Sequence, residues 1–268
     1  MLLLMLGVAQ ELCANFRQPE FFEARAQSPS EEWPFQISAK VFTAVETESL
    51  FPKEARLGSD PLEIEREGYQ DLDTKHEGYS VNALFMNWLA FDASYGRGGV
   101  ELRASGANRD SLQFSGDFNR FALGIGARLY RSDDDTFLLG AGISFEYFYG
   151  DADLAPAGGR AFGPADFSSF SPTLDFGLQY RALTPLARDE SSNWRVVSGL
   201  GVGLFWREME FDSPRFLFGE TLHMAYNTGG IGSYLRGDFG LSYYMVAVSV
   251  WAKLLVRSGV GVSLSAAF

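Results

Sequence analysis

The sequence predicts an all-β protein, a closed antiparallel up-and-down transmembrane β-barrel of about ten strands, within a range of eight to twelve. Three observations predict this fold. Apolar residues recur at every second position through most of the chain after Pro34, which is the period of a β-strand. The face opposite these apolar residues carries glycine, serine and the charged residues. The chain ends on one more alternating segment, GVGVSLSAAF, whose last residue is Phe268.

The side on which charge falls indicates what each face contacts. In the segments 136–149, 170–182, 194–207 and 246–257, every charged residue lies opposite the apolar face. A soluble barrel would hold its apolar face inside and present a polar, charged face to water. Glycine and serine dominate the second face here, so we predict that apolar residues face lipid and that small or polar residues face the lumen. A soluble β-sandwich or lipocalin-like barrel is the alternative.

The composition excludes several classes of protein. The formal charge of −12 disfavours nucleic acid as a partner. A single cysteine, Cys13, provides neither a disulfide framework nor a thiolate metal site. We predict no cofactor and no bound metal. No stretch approaches the roughly 20 apolar residues that a membrane-spanning helix needs.

The N-terminus differs from the rest of the chain. Residues 1–34 are assigned to a truncated signal peptide and a periplasmic segment, and residues 35–268 to the barrel. The start, MLLLMLGVAQ, has an apolar core that ends in the small-x-small pattern Gly7-Val8-Ala9. It lacks a basic n-region, which leaves the true start and the cleavage site open.

Alternation divides the barrel into ten predicted strands. The ranges are 35–45, 71–84, 89–104, 112–130, 136–149, 168–182, 193–210, 231–243, 246–257 and 259–268. In two of them the apolar residues change phase, at the GRGG sequence of residues 96–99 and near Asn119. We interpret each change as a β-bulge, which shifts the alternation by one residue. If each change instead separates two strands, the count rises to twelve.

The connections alternate between short turns and mostly longer loops. The long ones are 46–70, 150–167 and 211–230, the last of which includes a stretch that could itself be strand. Short turns on one side and long loops on the other are typical of bacterial outer-membrane barrels. Residues 46–77 hold ten acidic residues against four basic ones. We interpret this segment as a solvated loop, with capture of a divalent cation among lipopolysaccharide phosphates, or of a basic ligand, as the alternative.

Aromatic residues are expected where strands cross the boundary between lipid and water. The predicted membrane-interface residues are Tyr147, Tyr149, Phe170, Tyr180, Trp194, Trp206 and Tyr243.

The predicted lumen carries charged and polar side chains of both signs. They are Lys40, Glu101, Arg103, Arg128, Glu146, Asp175, Gln179, Arg181, Arg195, Arg207, Arg236, Asp238, Lys253 and Arg257. These residues either line a narrow, mildly anion-favouring channel or interlock as an ion-pair core, as the filled interiors of small barrels suggest. The lumenal glycines either vacate space or make room for aromatic rings from facing strands.

The segments GDFGLSYYMVAVSVWAKL and GVGVSLSAAF resemble those of Gram-negative outer-membrane β-barrels. The resemblance covers residues 35–268 and is architectural. It implies a location in the bacterial cell outer membrane, with lipid and lipopolysaccharide as partners. It also implies that the barrel assembly machinery recognises the C-terminal strand through Phe268, although Ala266 departs from the usual pattern. The oligomeric state stays open.

The most favoured function is a narrow porin-like channel or a structural component of the envelope. Surface adhesion or ligand binding through the long loops is the second hypothesis. A hydrolase at the outer rim is the third, because His76 and His223 both fall on the predicted outer side and could meet there. No catalytic motif is present, so no catalytic residue is assigned. An autotransporter translocator is a further alternative, and it would need a passenger domain upstream.

Overall fold

The computed structural model describes residues 35–62, 69–85, 88–104, 112–132, 136–156, 163–183, 194–217, 219–243 and 246–267. The predicted N-terminal segment 1–34 and Phe268 lie outside them. Among the described residues, no helix is long and apolar enough to cross a membrane.

The described residues form strands joined by turns and loops. The strands are β1 (Phe35–Leu57), β2 (Asp60–Pro61), β3 (Gln70–Phe85), β4 (Leu89–Ala104), β5 (Leu112–Arg131), β6 (Phe137–Pro156), β7 (Gly163–Leu183), β8 (Trp194–Phe205), β9 (Glu208–Leu217), β10 (Glu220–Asn227), β11 (Gly232–Tyr243), β12 (Val246–Leu255) and β13 (Arg257–Ala267).

The sheet closes on itself. β1 pairs antiparallel with β3 on one side and with the last strand, β13, on the other. β4, β5, β6, β7, β8, β11 and β12 complete a ring of ten strands. The predicted closed antiparallel barrel is therefore confirmed. Closure leaves no unpaired strand edge in this ring, which is the arrangement that a lipid environment requires.

The number of strands in the wall changes along the barrel. At the end that holds Phe35 and Ala267, here called the terminal end, ten strands form the wall. Toward the far end, β7 pairs with β9, β9 with β10, and β10 with β1. The hairpin of β12 and β13 turns back at Val256, so β10 takes its place beside β1. The far end is therefore an eight-stranded barrel, here called the extension. It comprises residues 49–57, 70–75, 99–104, 112–117, 150–156, 163–169, 208–217 and 220–227.

Along each long strand, the apolar residues change from the outer face of the wall to the inner face. In β4, Phe91 and Tyr95 are exposed on the outer face, whereas Val100 and Leu102 are buried inside. The register of β4 with both neighbours is continuous throughout. The predicted bulges at residues 96–99 and near Asn119 are therefore wrong. What changes is the face that carries the apolar residues, which is the outer face in the lower part of the strand and the inner face in the extension.

Several predicted loops prove to be strand. β1 continues to Leu57, so most of the predicted acidic loop lies in the wall. The predicted loop 211–230 is largely β9 and β10. The last hairpin turns at Val256 rather than between the predicted strands 246–257 and 259–268, and Leu255 adopts a positive φ of 91° there.

Between the terminal end and the extension, the outer face is apolar. We call this zone the band. At the edge of the band next to the extension, aromatic residues lie in direct register across five strands. They are Tyr79, Tyr95, Phe121, Tyr147 and Phe170. Phe137 and Tyr180 pair at the terminal end, as do Trp194 and Tyr243. Of the predicted interface residues, Tyr147, Tyr149, Phe170, Tyr180, Trp194 and Tyr243 are exposed on this face, and Trp206 is partly buried. Their contact with lipid stays a prediction.

Candidate functional site: the filled interior and the outer wall

Most of the charged residues predicted to face the lumen lie inside the barrel. The inward-facing residues are Lys40, Arg128, Glu146, Asp175, Gln179, Arg207, Arg236, Asp238, Lys253 and Arg257. The side chains of Arg181 and Arg195 lie outside the described part of the structure.

Glu101 and Arg103 contradict the prediction. They form an ion pair on the outer face of the extension, and the hydrogen bond from Arg103 lowers the pKa of Glu101. They were assigned to the lumen because Leu102 was taken to face outward. In the extension the apolar face is the inner one, so its neighbours point out.

Arg207 is the centre of a buried group of charges. Its guanidinium donates hydrogen bonds from Nε to Glu48 at 3.0 Å and from Nη2 to Glu146 at 2.6 Å. Its Nη1 donates to Ser169 at 3.0 Å. Its guanidinium carbon also lies 4.6 Å from the centre of the Phe148 ring, within the range of a cation–π contact. These partners come from β1, β6 and β7, so Arg207 ties together strands that are not all adjacent.

Three further ion pairs extend this group, here called the arginine cluster. Arg257 donates to Glu48 at 2.8 Å, Lys253 donates to Glu46 at 2.6 Å, and Arg120 pairs with Glu146. The members are Glu46, Glu48, Arg120, Glu146, Arg207, Lys253 and Arg257, each between 1% and 5% exposed. Sequence analysis missed the two β1 glutamates and Arg120. Continuing the inward alternation of β1 past residue 45 would have found the glutamates.

A second buried network lies nearer the terminal end. Tyr234 donates a hydrogen bond to Asp175, and Arg236 pairs with Asp238 at 2.7 Å. A Cβ atom at Gly203 would lie 2.2 Å from the Tyr234 ring. This glycine therefore makes room for a ring from the neighbouring strand, which is the second of the two roles predicted for the lumenal glycines.

The extension is filled by apolar side chains. One contiguous cluster, the apolar plug, draws members from all eight strands of the extension. They are Leu50, Leu72, Val100, Leu102, Phe114, Phe118, Phe148, Ala152, Phe167, Met209, Phe211, Leu222 and Tyr226, none more than 5% exposed. The rings of Phe114 and Phe211 meet at 4.2 Å across the interior. Burial here raises the pKa of Tyr226 well above its usual range.

The burial of these groups shows what the interior contains. Side chains that line a water-filled channel are accessible to water. The arginine cluster and the apolar plug are not, and they lie one above the other along the barrel. The described side chains therefore fill the barrel at both levels.

The two histidines do not come together. His76 is buried inside, with its ring edge-on to Phe42 and Phe118. His223 lies on the outer face, where its Nδ1 is 2.8 Å from Asp212 Oδ1. The predicted meeting of the two histidines is therefore wrong, because opposite faces of the wall separate them. Among the described residues, no group of three or more side chains is placed to hold a metal ion.

Four aspartates form a row across the outer face of the extension. Asp117, Asp151, Asp166 and Asp212 lie directly opposite one another on β5, β6, β7 and β9. Like charges in directly opposite positions destabilise a sheet. The hydrogen bond with Asp151 and the repulsion between their charges raise the pKa of Asp166 above its ordinary value of 3.8.

We expect Asp166→Asn to raise the melting temperature at pH 7. A carboxyl group with a raised pKa favours the folded state only while it is protonated, so that stabilisation is lost as pH rises through the raised value. The variant should therefore match the parent at pH 3 and exceed it at pH 7. Asp153→Asn, on the same face but opposite Ser115 and Pro164, is the control. Equal responses of the two variants would contradict the role of the row.

Comparison with solved structures identifies proteins of similar architecture. The chain is similar to the outer membrane protein OprG from Pseudomonas aeruginosa, with a TM-score of 0.51 and 10% sequence identity over 86% of this chain and 95% of that chain. The fold is that of an outer-membrane β-barrel. This result confirms the resemblance inferred from the sequence.

Other outer-membrane barrels align less closely. The outer membrane protease OmpT from Escherichia coli gives a TM-score of 0.48 at 11% identity, over 89% of this chain and 99% of that chain. The translocator domain of the autotransporter NalP from Neisseria meningitidis gives 0.39 at 10% identity, over 90% of both chains. These two are likenesses of general shape alone. No family model and no curated protein matches the sequence.

Proposed function

We propose that this barrel resides in the bacterial outer membrane, with the terminal end in the periplasm and the extension above the outer leaflet. The apolar band supports this location, because its exposed aromatic and aliphatic side chains would be costly to hydrate and suit lipid contact. The outer-membrane barrel fold supports it as well. Recognition of the C-terminal strand by the barrel assembly machinery is part of the same proposal.

We further propose that the barrel is a structural component of the envelope rather than a channel. One observation carries this proposal. Arg120, Arg207, Lys253 and Arg257 are each no more than 3% exposed inside the ring, directly below an apolar plug that is equally buried. Narrow barrels of about eight strands are filled by their side chains, whereas wide aqueous pores need about 16 strands.

We expect no stepwise conductance from this barrel in planar lipid bilayers. An ion would have to cross the arginine cluster and then the apolar plug, and neither offers a hydrated path. The measurement is the current across the bilayer at fixed voltage in about 1 M salt, where charges are strongly screened. Protection of the barrel from added protease in vesicles shows that insertion has occurred. Reproducible steps that scale with salt concentration would make the channel the correct function.

A second candidate function is recognition at the cell surface. The extension supports this function, because eight paired strands around a continuous apolar core form a rigid scaffold beyond the band. Its outer face carries charged side chains of both signs, among them Lys53, Glu208, Glu101 and Arg103. If the protein recognises a ligand in this way, the binding surface includes the side of the extension as well as its loops.

A further inference from the structure

At the terminal end, the inner face of the ten-stranded ring carries mainly small side chains. Five different strands contribute Ala90, Gly140, Gly240, Ala247 and Ser265 to this face. The extension has only eight strands and is filled by leucine and phenylalanine side chains. A ring that is wider and lined by smaller side chains leaves space at its centre. We call this space the terminal chamber.

Side chains at the mouth of this chamber are nevertheless shielded from water. Four of them face inward near the terminal ends of their strands, namely Leu138, Val197, Ser242 and Ala247. Each is no more than 4% exposed. An inward side chain at the open end of an empty ring would contact water. The small side chains of the wall do not account for this burial.

The chamber also holds buried donors that need acceptors. Asn82 on β3 and Trp251 on β12 face inward, and each is 3% exposed. In the part of the chain that the structure describes, neither Asn82 Nδ2 nor Trp251 Nε1 has a hydrogen-bond partner. A buried N–H group without an acceptor is costly, and nearly all such groups in folded proteins are paired. These two donors therefore indicate an occupant that carries hydrogen-bond acceptors.

We propose that residues 10–34 of this chain fold back into the terminal chamber and fill it. β1 begins at Phe35 at the terminal end, so the preceding residues leave the wall at the mouth. The chamber spans β1 from Ser38 to Ala44, roughly 20 Å, whereas residues 10–34 can extend over roughly 80 Å. The predicted signal peptide ends at Ala9 and does not include this segment. The inference goes beyond the proposed function.

The composition of the segment suits the interior. Residues 10–34 hold five glutamates and two arginines, a net charge of −3. The charged residues identified above as inward, together with Asp92, comprise seven basic and six acidic side chains, a net charge of +1. Carboxylates and carbonyl groups of the segment offer acceptors to Asn82 and Trp251. Apolar rings that can cover the side chains at the mouth are those of Phe16, Phe21, Phe22 and Trp33.

Native probes in the full-length chain test the proposal in detergent solution. Cys13 is the only cysteine, and Arg17 and Arg25 are trypsin sites within the segment. We expect Cys13 to react with a polar maleimide at least about tenfold more slowly in the folded barrel than in urea. We also expect trypsin to leave Arg17 and Arg25 uncut until the barrel unfolds. Rapid labelling of Cys13, or cleavage at Arg25 in the folded barrel, would overturn the proposal.

Two matched tryptophan variants separate docking in the chamber from other kinds of protection. Ser242 faces the chamber, and Leu241 faces outward on the same strand. Ser242→Trp places a large ring in the chamber, and we expect it to displace the segment and expose Arg25 to trypsin. Leu241→Trp adds the same ring to the outer face and should leave Arg25 protected. Heat-modifiable migration on a gel shows that each variant has folded.

A variant of the segment itself avoids any effect on the wall. Phe21→Ser with Phe22→Ser removes two of the rings that would cover the mouth, and it should also expose Arg25. Continued protection of Arg25 in this variant and in folded Ser242→Trp would contradict docking of the segment.

The connection of residues 184–193 is a competing occupant, because it joins β7 to β8 at the same end of the barrel. Ala247→Cys in a Cys13→Ser background reports on the mouth itself. If the thiol at position 247 stays protected while trypsin cuts Arg17 and Arg25, the connection covers the mouth and the proposal is wrong. These measurements are made in detergent, so they depend neither on insertion into vesicles nor on conductance.

Discussion

Arg207→Ala should lower the free energy of unfolding by about 3–5 kcal/mol, because removal of one partner from a buried ion pair leaves the others uncompensated. Glu48 would keep only Arg257, and Glu146 would keep only Arg120, among the ion pairs described above. Both carboxylates would stay buried, since neither is more than 3% exposed. The cavity left by the side chain would add to the loss.

Unfolding in urea, in the presence of lipid vesicles, measures this difference. Arg103→Ala is the matched control, because it removes the same side chain from an ion pair on the exposed outer face. Surface pairs contribute about 0–1 kcal/mol, so the control should change little. Equal losses in the two variants would show that the arginine cluster does not stabilise the barrel.

The second large effect is expected from a charge placed on the band. Val248 lies on β12 with its side chain about half exposed on the outer face. Val248→Arg should cost about 2–4 kcal/mol if this position lies near the middle of the bilayer, as lipid-facing arginines do in membrane barrels. In water the same substitution at an exposed strand position would be nearly neutral.

The control places the same charge on the extension. Ser168→Arg adds an arginine to the outer face of β7 beyond the band, next to glutamate and aspartate residues of β9. We expect a change below about 0.5 kcal/mol there. The measured quantity is the free energy of unfolding from vesicles for each variant. A neutral Val248→Arg would contradict the assignment of the band to lipid.

The period of the strands was readable from the sequence because one rule held throughout the band. Apolar residues such as Phe137, Leu139 and Ile143 face out, and small residues face in, so strand positions and inward charges such as Lys253 followed from counting by two. The rule assumed that apolar residues stay on the outer face along a whole strand. In the extension they lie on the inner face, and Val100 and Leu102 were consequently read as a shifted strand rather than as part of the apolar plug.

A different inference hid the two β1 glutamates of the arginine cluster. Glu46 and Glu48 were assigned to a solvated loop because acidic residues crowd the sequence after residue 45. In the structure they continue the inward series of Phe42 and Ala44. Their partners Lys253 and Arg257 are more than 200 residues away in the chain, so no local pattern could pair them. Tertiary closure alone brings these charges together.

In the proposed membrane location, the change of apolar residues from the outer to the inner face also determines how deeply the barrel sits in the bilayer. If the cylinder sank by a single pair of residues, Lys75, Glu77 and Arg97 would enter hydrocarbon. If it rose by the same amount, the rings of Tyr79, Tyr95 and Phe121 would enter water. At the proposed depth, the cost of placing charge in hydrocarbon and the cost of placing aromatic rings in water thus oppose displacement in the two directions.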